Sequence, residues 1–255
     1  MKTNPDKIKA LLTVNEPIII ETTQVTASTN EDMKIRAAEG REEISLLIAD
    51  KQTAGKGSKG RSFFSPEGTG CYMSFLLRPE IRPEECTLLT TIAAVATAQA
   101  IEKLTDKKAD IKWVNDIYID GKKTAGILTE GAFINKDKIN YAIVGIGINL
   151  TVPEGGFPEE IKDIAGALGT DEIRNELIAE IINSFIYYYR RLPDNSYITQ
   201  YRKRLFFLDQ QITVMQGDTA FTATAVDVDN MCRLIIERDG ERQLLNAGEI
   251  SVKIK

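Results

Sequence analysis

The alternation of apolar and polar stretches along this 255-residue chain predicts a protein of mixed α and β structure. Short apolar runs bounded by charged residues or proline are typical of buried strands, whereas longer periodic or apolar segments are typical of helices. On this basis we predict strands at residues 18–20 with 25, 46–49, 71–77, 111–133 and 140–150. We predict helices at residues 6–12, 31–39, 83–104, 171–192 and 195–205.

Two further patterns indicate how these elements are arranged. Asp120-Gly121 separates two alternating segments within residues 111–133, which predicts a tight β-hairpin. After Leu208 the helical patterns stop, and closely spaced short strands predict a small barrel at residues 211–215, 220–227, 233–237 and 243–245. We therefore predict two domains, residues 1–208 and residues 209–255.

The stretch from Asp50 to Pro66, DKQTAGKGSKGRSFFSP, carries the clearest chemical signal. Glycines alternate in it with cations, in the order Gly55, Lys56, Gly57, Lys59, Gly60 and Arg61. Glycine leaves backbone N–H groups accessible to a ligand, and the cations supply charge-assisted hydrogen bonds to phosphate or carboxylate oxygens. The stretch predicts a loop that closes over an anion, although a solvated basic turn is the commoner explanation of so short a run taken alone.

Two stretches of the sequence partly resemble nucleotide-binding motifs, but neither matches its motif. A P-loop requires lysine where Arg61 stands and a helix directly after it, whereas Phe63-Phe64-Ser65-Pro66 follows here. The pair Gly145 and Gly147 lacks the third glycine of a dinucleotide-binding motif, and Thr151-Val152-Pro153 follows it instead of a helix. Two glycines within a strand indicate instead that the backbone approaches a ligand closely.

Composition narrows the available chemistry, because the chain contains no histidine. Its absence excludes Ser-His-Asp and Cys-His nucleophilic schemes and the usual zinc sites. Any reaction must therefore use lysine, arginine, carboxylates, backbone amides or a loosely held metal ion.

Charge and cysteine usage indicate the expected surroundings. The net charge of −5 argues against a broad electrostatic surface for nucleic acid. Cys71, Cys86 and Cys232 show neither metal-ligand spacing nor a disulfide framework, as is usual in a reducing compartment. The sequence has no signal peptide and no apolar run of transmembrane length, so we expect a cytoplasmic protein that does not bind membranes.

The polar triplet Ser28-Thr29-Asn30 precedes Glu31-Asp32, an order typical of the first turn of a helix. Structurally, these side chains need do no more than cap that helix. Their hydroxyl and amide groups could equally face a ligand beside the glycine loop. Taken alone, the triplet favours capping.

Three blocks taken together resemble the biotin–protein ligases, which attach biotin to lysines of carrier proteins. In the family's order and at its spacing, they are Gln52-Thr53-Ala54-Gly55-Lys56-Gly57 with Arg61, Lys112-Trp113-Val114-Asn115-Asp116, and Gly145-Ile146-Gly147-Ile148-Asn149. Between the last two blocks, Lys123-Thr124-Ala125-Gly126-Ile127-Leu128 is also similar to the family. The resemblance runs from about Thr26 to the C-terminus.

The resemblance implies an α+β fold, with a mixed, largely antiparallel sheet and flanking helices of the class II synthetase-like biotin/lipoate ligase type. It adds a small C-terminal SH3-like β-barrel. The implied reaction is ATP-dependent and AMP-forming. Biotin and Mg²⁺-ATP give biotinyl-5′-AMP, from which biotin passes to a specific lysine of a biotin carboxyl carrier protein or carrier domain.

The resemblance also implies which partners to expect. Repressor members of the family carry an N-terminal DNA-binding domain, and the twenty-five residues before Thr26 leave no room for one. We therefore expect a monofunctional ligase that does not bind DNA. Relatives often dimerise by pairing sheet edges, and the alternation in residues 140–150 would permit a homodimer of that kind.

By motif position, the resemblance implies a role for individual residues. Those implied to be catalytic are Lys123, Lys56 and Arg61. Those implied to bind biotin are Ser28, Thr29, Asn30, Gln52, Gly55, Lys56, Gly57, Lys123, Gly126 and Gly145. Those implied to bind ATP and the adenylate are Lys59, Arg61, Phe63, Asn115, Asp116 and Asn149. The implied Mg²⁺ ligand is Asp116.

Lys123 and Trp113 each have a simpler structural explanation. Lys123 taken alone is most simply a solvated lysine beside a hairpin turn, and only its motif context argues for a role between the biotin carboxylate and the α-phosphate. Trp113 is expected in the core, outside the site.

The residue types themselves suit adenylation, independently of the family resemblance. Joining a carboxylate to a triphosphate brings anions together, and their repulsion would be offset by Lys56, Lys59, Arg61 and Lys123. Positioning of the two substrates can supply much of the remaining rate. Because the mixed anhydride is labile in water, the glycine loop has to order over it.

Two positions depart from the family's pattern. Ser58 stands where arginine is usual, so a guanidinium that would bind anionic oxygens is missing. Phe63 stands where tryptophan is usual, and it can still stack on adenine with less surface. We therefore expect the adenylate to be held less tightly than is typical of the family.

Two alternative functions stay open at this point. A lipoate–protein ligase shares the catalytic architecture, but the block from Lys112 to Asp116 and the C-terminal strands argue against it. A non-catalytic biotin-binding regulatory protein is favoured only by Ser58.

Overall fold

A seven-stranded sheet forms the centre of the larger part of the chain in the computed structural model, which describes residues 2–135, 137–192, 194–217, 219–247 and 250–254. The strands are β1 (Ile19–Thr26), β2 (Ser45–Gln52), β3 (Gly70–Leu77), β4 (Asp110–Lys112), β5 (Asp116–Ile119), β6 (Lys122–Asn135) and β7 (Lys138–Asn149). Their order across the sheet is β1-β2-β3-β7-β6-β5-β4. Only β1 and β2 are parallel among these neighbours, so the predicted mixed, largely antiparallel sheet is confirmed.

Helices cover both faces of this sheet. They are α1 (Pro5–Ala10), α2 (Thr29–Ala38), α3 (Cys86–Leu104), α4 (Arg174–Tyr189) and α5 (Ser196–Arg202). The apolar helix α3 is buried on nearly every side, as its composition requires, and it packs with α4 on one face, where Phe75 of β3 stacks on Phe185 at 4.7 Å. Helix α2 packs on the opposite face, against Leu76 and Ile143.

A second sheet follows in the C-terminal part of the chain. Its strands are β8 (Gln211–Gln216), β9 (Thr219–Val228), β10 (Leu234–Arg238), β11 (Glu241–Leu245) and β12 (Ile250–Ile254), in the antiparallel order β11-β10-β9-β8-β12. This small sheet fits the predicted SH3-like domain. Strand β12 was not predicted, because its five residues include two charged or polar positions and no turn dipeptide flanks them.

The hairpin predicted at Asp120-Gly121 is present between β5 and β6. Both turn residues have positive φ, 51° at Asp120 and 74° at Gly121, as a two-residue type I′ turn requires. The segment before it differs from the prediction, because the chain leaves the sheet at residues 113–115 and separates β4 from β5. That excursion carries part of the predicted site.

The predicted dimer edge is wrong for most of β7. Residues 142–149 pair with β3 on one side and with β6 on the other, so their backbone groups are already bonded within the chain. The edge strands of the larger sheet are β1 and β4. The alternation of residues 140–150 therefore reflects two covered faces, since α2 and α3 lie on opposite sides of β7.

Residues 113–115 are fixed by hydrogen bonds to α5 and to the segment between β9 and β10. The Trp113 indole Nε1–H donates to the Cys232 carbonyl at 2.9 Å, in a buried contact. The Tyr201 hydroxyl donates to the Val114 carbonyl at 3.0 Å. Trp113 is 6% exposed, which agrees with the expectation that it belongs to the core. Its placement outside the site is not fully met, because it also lines an open groove beside Asn115 and Asp116.

We expect Trp113→Phe to lower the free energy of unfolding by about 1–3 kcal/mol, because the buried Cys232 carbonyl would lose this donor. Urea denaturation would measure the change. Tyr187→Phe, which alters a half-exposed ring, serves as the control. Equal stability of the Trp113→Phe variant and wild type would contradict the buried hydrogen bond.

Among the described residues, no helix combines the length and apolar character that spanning a bilayer would require.

Candidate active site

Glycines on three positions of β6 and β7 leave a hollow above one face of the larger sheet. Gly126 pairs with Gly147, and Gly145 lies opposite Leu128 and, on its other side, opposite Ser74. Since alternate residues of a strand point to the same face, these positions share the face that α2 covers. The missing side chains make room beside the N-terminus of α2.

The N-terminus of α2 faces this hollow. Ser28 occupies the N-cap position, but its side chain makes no capping hydrogen bond, although it is 2% exposed. The backbone N–H of Thr29 is satisfied by the side chain of Gln52, whose Oε1 accepts at 2.9 Å. The favoured interpretation of the triplet as a cap is therefore wrong for the Ser28 hydroxyl, which lines a cavity instead.

The hollow forms a cavity, here called the ligand cavity. Twelve of the predicted site residues line it, namely Ser28, Thr29, Asn30, Gln52, Lys56, Gly57, Phe63, Asn115, Asp116, Lys123, Gly126 and Gly145. Ser58 and Gly147, which the sequence also places near a ligand, line it as well. The lining residues that were not predicted are Met73, Ile127, Leu128 and Ile146. The structure thus brings together residues from five separated parts of the sequence.

Two cations of the ligand cavity are each paired with a carboxylate. The Lys123 ammonium lies 2.7 Å from Asp116 Oδ1. The Lys56 ammonium lies 2.6 Å from Glu31 Oε1, which also binds Lys34 at 2.7 Å. Hydrogen bonds from Lys34 and Lys56 hold the pKa of the Glu31 carboxyl below its ordinary value. These pairs keep both cations beside the cavity without requiring a ligand.

The glycine loop is itself a small hairpin. The Gly57 N–H donates to the Arg61 carbonyl at 2.7 Å, and the Phe63 N–H donates to the Gly55 carbonyl at 2.9 Å. Its tip holds Lys59 at a φ of 58°, in the left-handed region that costs a non-glycine residue free energy. The loop is therefore ordered by its own backbone.

Gly55 has a structural role besides the contact that its motif position implies. A Cβ at this position would lie 2.5 Å from the Phe63 carbonyl oxygen and 2.6 Å from the Ser65 hydroxyl. Glycine is thus required for the two sides of the loop to close. Contact of Gly55 with biotin stays a prediction.

A second cavity, here called the apolar cavity, lies on the other side of Phe63. Its lining combines five predicted residues with an apolar group. The predicted residues are Gly57, Arg61, Phe63, Lys123 and Asn149, and the apolar group is Phe64, Phe157, Ile161 and Ile164. The Asn149 amide is held by a hydrogen bond to the Gly166 carbonyl at 2.9 Å. Phe157, Ile161 and Ile164 come from one segment that lies beside Lys123, whose N–H donates to the Ile164 carbonyl at 2.7 Å.

The remaining predicted residue, Lys59, lies along an open groove, here called the cationic groove. Lys59, Arg61 and Lys112 line it together with Asn115 and Asp116. The Arg61 guanidinium is oriented by Ser58, whose hydroxyl accepts at 2.8 Å and whose carbonyl accepts at 3.1 Å. Asn115 is fixed by exchange of two hydrogen bonds with Ile127.

The thiols offer no nucleophile to these cavities. All three cysteines are free. Burial raises the pKa of the Cys71 thiol to about 12, and it raises that of Cys86, which borders the cationic groove, to about 11. Both groups are therefore protonated near neutral pH.

Acidic groups that could hold a metal are sparse in the described part of the chain. No cluster of three or more carboxylates or cysteines with metal-binding geometry is found among those residues. Of the described residues that line the three cavities, Asp116 is the carboxylate. One carboxylate suits Mg²⁺ that arrives with substrate phosphates, because Mg²⁺ is commonly bound by one or two carboxylates together with phosphate oxygens.

Comparison with protein families agrees with the fold and the site. A model of the biotin/lipoate A/B protein ligase family matches residues 20–149, and a model of the biotin protein ligase C-terminal domain matches residues 207–253. The chain therefore belongs to the biotin/lipoate A/B protein ligase family.

Some of the curated relatives are named as bifunctional ligases and repressors, and others are named as ligases alone. A bifunctional ligase/repressor BirA of Bacillus spizizenii is 47% identical over 150 residues, which are 59% of this chain and 44% of the relative. A biotin–[acetyl-CoA-carboxylase] ligase of Mycobacterium tuberculosis is 27% identical over 235 residues, which are 88% of this chain and 85% of the relative. This chain matches less than half the length of the Bacillus protein.

Solved structures show the same architecture. A biotin protein ligase from Aquifex aeolicus, in complex with biotin and ATP, superposes with a TM-score of 0.79 at 28% identity. The superposition covers 93% of this chain and 99% of that chain. The predicted α+β fold, with a sheet-based larger part and a small C-terminal β-domain, is confirmed.

Proposed function

We propose that the chain is an ATP-dependent ligase that activates biotin as biotinyl-5′-AMP and transfers it to a lysine of a biotin carrier domain. The observation that carries this proposal is the position of Lys123, whose side chain borders both the ligand cavity and the apolar cavity. The carboxylate of a molecule in the first cavity and the phosphate of a nucleotide in the second would meet at this ammonium. Family membership and the named relatives support the same activity.

The polarity of the ligand cavity favours biotin over lipoate. The ureido ring of biotin carries two N–H donors and a carbonyl acceptor, which suit a wall built from Ser28, Thr29 and Gln52. The dithiolane ring of lipoate has no strong hydrogen-bonding group, so burying it against these groups would leave them unpaired. Met73 and Leu128 supply apolar surface for the rest of the ligand.

In the first step, an oxygen of the biotin carboxylate bonds to the α-phosphorus of ATP, and the bond from that phosphorus to the bridging oxygen breaks to release pyrophosphate. Lys123 would bind the carboxylate and the α-phosphate together, which offsets their repulsion and aligns them. Lys56 would bind the carboxylate side, and Arg61 with Lys59 would bind phosphates along the cationic groove.

In the second step, the amine of a carrier lysine attacks the acyl carbon, and AMP leaves. Phe63 lies between the two cavities, so its ring would pack on the adenylate and keep water from the anhydride. The apolar cavity would receive adenine, with Asn149 beside it. Asn115 would bind a polar group of the nucleotide from the opposite wall.

We further propose Asp116 as the protein ligand for Mg²⁺, which would neutralise phosphate charge when bound. This role requires Asp116 to share its carboxylate between the metal and Lys123, with which it is paired here. The single carboxylate fits an ion that is bound mainly through ATP. We also propose that residues 1–208 form the catalytic domain and residues 209–255 the second domain.

The direct test is biotin-dependent exchange of labelled pyrophosphate into ATP. A ligase catalyses exchange with biotin, and lipoate at the same concentration gives none. Exchange with lipoate alone would favour a lipoate ligase. Biotin binding without any exchange would indicate a non-catalytic biotin-binding protein.

Ser58→Arg is expected to slow release of the adenylate to solution by about ten-fold, because a guanidinium would add charge-assisted hydrogen bonds to phosphate oxygens. Release can be followed by trapping free biotinyl-5′-AMP after a single turnover without carrier. Ser58→Ala controls for loss of the contact with Arg61. Equal release from wild type and Ser58→Arg would show that Ser58 does not weaken retention.

A further inference from the structure

Four oxygens form a continuous row at the floor of the ligand cavity, here called the oxygen row. They are Asn30 Oδ1, Ser74 Oγ, Thr29 Oγ1 and Gln52 Oε1. The successive contacts measure 2.6, 2.7 and 3.1 Å. Ser74 is fully buried, and Thr29 and Asn30 are 3% and 4% exposed, so solvent is kept from the middle of the row.

The oxygen row contains one proton fewer than it has contacts. Only the hydroxyls of Ser74 and Thr29 carry protons, because the amide oxygens at the two ends can only accept. Two protons cannot fill three contacts. One contact therefore brings two oxygens together without a hydrogen between them, and one acceptor oxygen is left to be satisfied by an additional donor.

Both ends of the oxygen row are fixed as acceptors by their surroundings. Gln52 Oε1 accepts from the Thr29 backbone N–H at 2.9 Å, while Gln52 Nε2 donates to the Ser65 hydroxyl at 2.9 Å. Asn30 Nδ2 donates to Glu130 Oε2 at 2.8 Å. Because a carboxylate only accepts, Glu130 holds the nitrogen of the Asn30 amide toward itself and the oxygen toward Ser74.

The packing around Asn30 supports this fixed orientation. Its amide lies directly on the backbone of Gly145, where a Cβ would come within 2.3 Å of Oδ1. Glu130 is held in turn by the Lys34 ammonium at 2.5 Å. The orientation of a buried amide is thus set by a carboxylate that does not line the ligand cavity.

We propose that Glu130 is a positioning residue that keeps the oxygen row one proton short, so that the cavity floor selects a ligand with an N–H donor. The inference rests on the proposed function, since the ureido ring of biotin supplies such a donor. If Glu130 could not accept, only the Leu128 carbonyl, at 3.4 Å, would still accept from Asn30 Nδ2. So long a contact would hold the amide weakly, and its nitrogen could turn toward Ser74. That third proton would complete the row and remove its demand for a ligand proton.

The test compares biotin with two analogues that are methylated on one or the other ureido nitrogen, by titration calorimetry. Wild type should prefer biotin over at least one analogue. Glu130→Met should weaken biotin binding on the order of ten-fold and that analogue by less than about two-fold, so that the preference collapses. Glu130→Gln, whose amide oxygen still accepts from Asn30, should keep most of the preference.

Lys34→Met is the matched control, because it removes the neighbouring charge and leaves the acceptor of Asn30 in place. It should retain the preference. Ser74→Ala tests the row independently of Glu130, since it removes the donor to Asn30 Oδ1 and leaves that fixed acceptor unpaired. It should keep or sharpen the preference for biotin, and loss of the preference would contradict the proposal. This variant decides the question if Glu130→Met does not fold.

The outcomes separate this proposal from the proposed function. Proportional weakening of biotin and both analogues in Glu130→Met would assign Glu130 a merely structural role and overturn the proposal. Equal binding of biotin and both analogues by wild type would also overturn it, while biotin binding itself stands. Failure of wild type to bind biotin would overturn the proposed function and this inference with it.

Discussion

Lys123→Ala is expected to reduce biotin-dependent exchange of pyrophosphate into ATP by about 10³-fold, because removal of one preorganised electrostatic group commonly costs 10²–10³ in rate. Lys123 is the cation that borders both cavities, and its ammonium is already fixed 2.7 Å from Asp116. Its loss would leave the carboxylate and the α-phosphate to approach without a shared counter-charge. Biotin binding in the absence of ATP should weaken far less than exchange.

Lys138→Ala provides the matched control for this substitution. Lys138 begins β7 at the far end of the β6–β7 hairpin and is exposed, so its loss removes the same charge from the chain without touching the cavities. Exchange by Lys138→Ala should equal that of wild type. Retention of more than about a tenth of the exchange rate by Lys123→Ala would contradict the assigned role.

Gly145→Ala is expected to weaken biotin binding by at least about 100-fold and to lower the free energy of unfolding by about 2 kcal/mol. The added Cβ would lie 2.3 Å from Asn30 Oδ1 and 3.0 Å from its Cγ. Asn30 cannot simply move aside, because it is bonded to Ser74 and Glu130 and is nearly fully buried. The substitution would therefore break the floor of the ligand cavity.

Gly131→Ala tests whether any added methyl on this hairpin has the same effect. Its Cβ would lie 3.2 Å from the Phe133 ring, whose side chain is 54% exposed and can rotate into solvent. Biotin affinity and stability of Gly131→Ala should stay close to wild type. Thermal unfolding and calorimetry of both variants decide the prediction, and normal biotin affinity of Gly145→Ala would contradict it.

The glycine loop and the main elements could be predicted because their signals are local. Alternating glycines and cations, apolar runs and an Asp-Gly turn depend on short stretches of sequence, and the structure has β2, β3, α3 and the β5–β6 hairpin close to where they were expected. Most of the residues implied to bind biotin also line one cavity. That these residues come together was predicted from the order of the three family blocks, because no local pattern indicates it.

The polar floor of the ligand cavity shows why other residues were missed. Ser74 is the one aliphatic hydroxyl in the strand sequence CYMSFLL, and its alternation places it on the same face as Gly145. That signal becomes meaningful only when β3 and β7 are known to be neighbours. Glu130 lies 100 residues from Asn30, so no local pattern joins them.

Ser28 was misjudged for a related reason. From the sequence alone, an N-cap serine is expected to accept a hydrogen bond from a backbone N–H of the first helical turn. In the structure the Thr29 N–H donates instead to Gln52, which lies 23 residues further along the chain. The Ser28 hydroxyl is thereby left for the cavity. The apolar group at Phe157, Ile161 and Ile164 lacks a helical or strand period, and its contact with the site depends on hydrogen bonds to Lys123.

The measurement that tests the central claim most directly is transfer of labelled biotin to a purified biotin carrier domain with ATP and Mg²⁺, by wild type and by Lys123→Ala. The account predicts transfer by wild type that is lost in the variant. Absence of transfer by wild type, or transfer undiminished in Lys123→Ala, would contradict it.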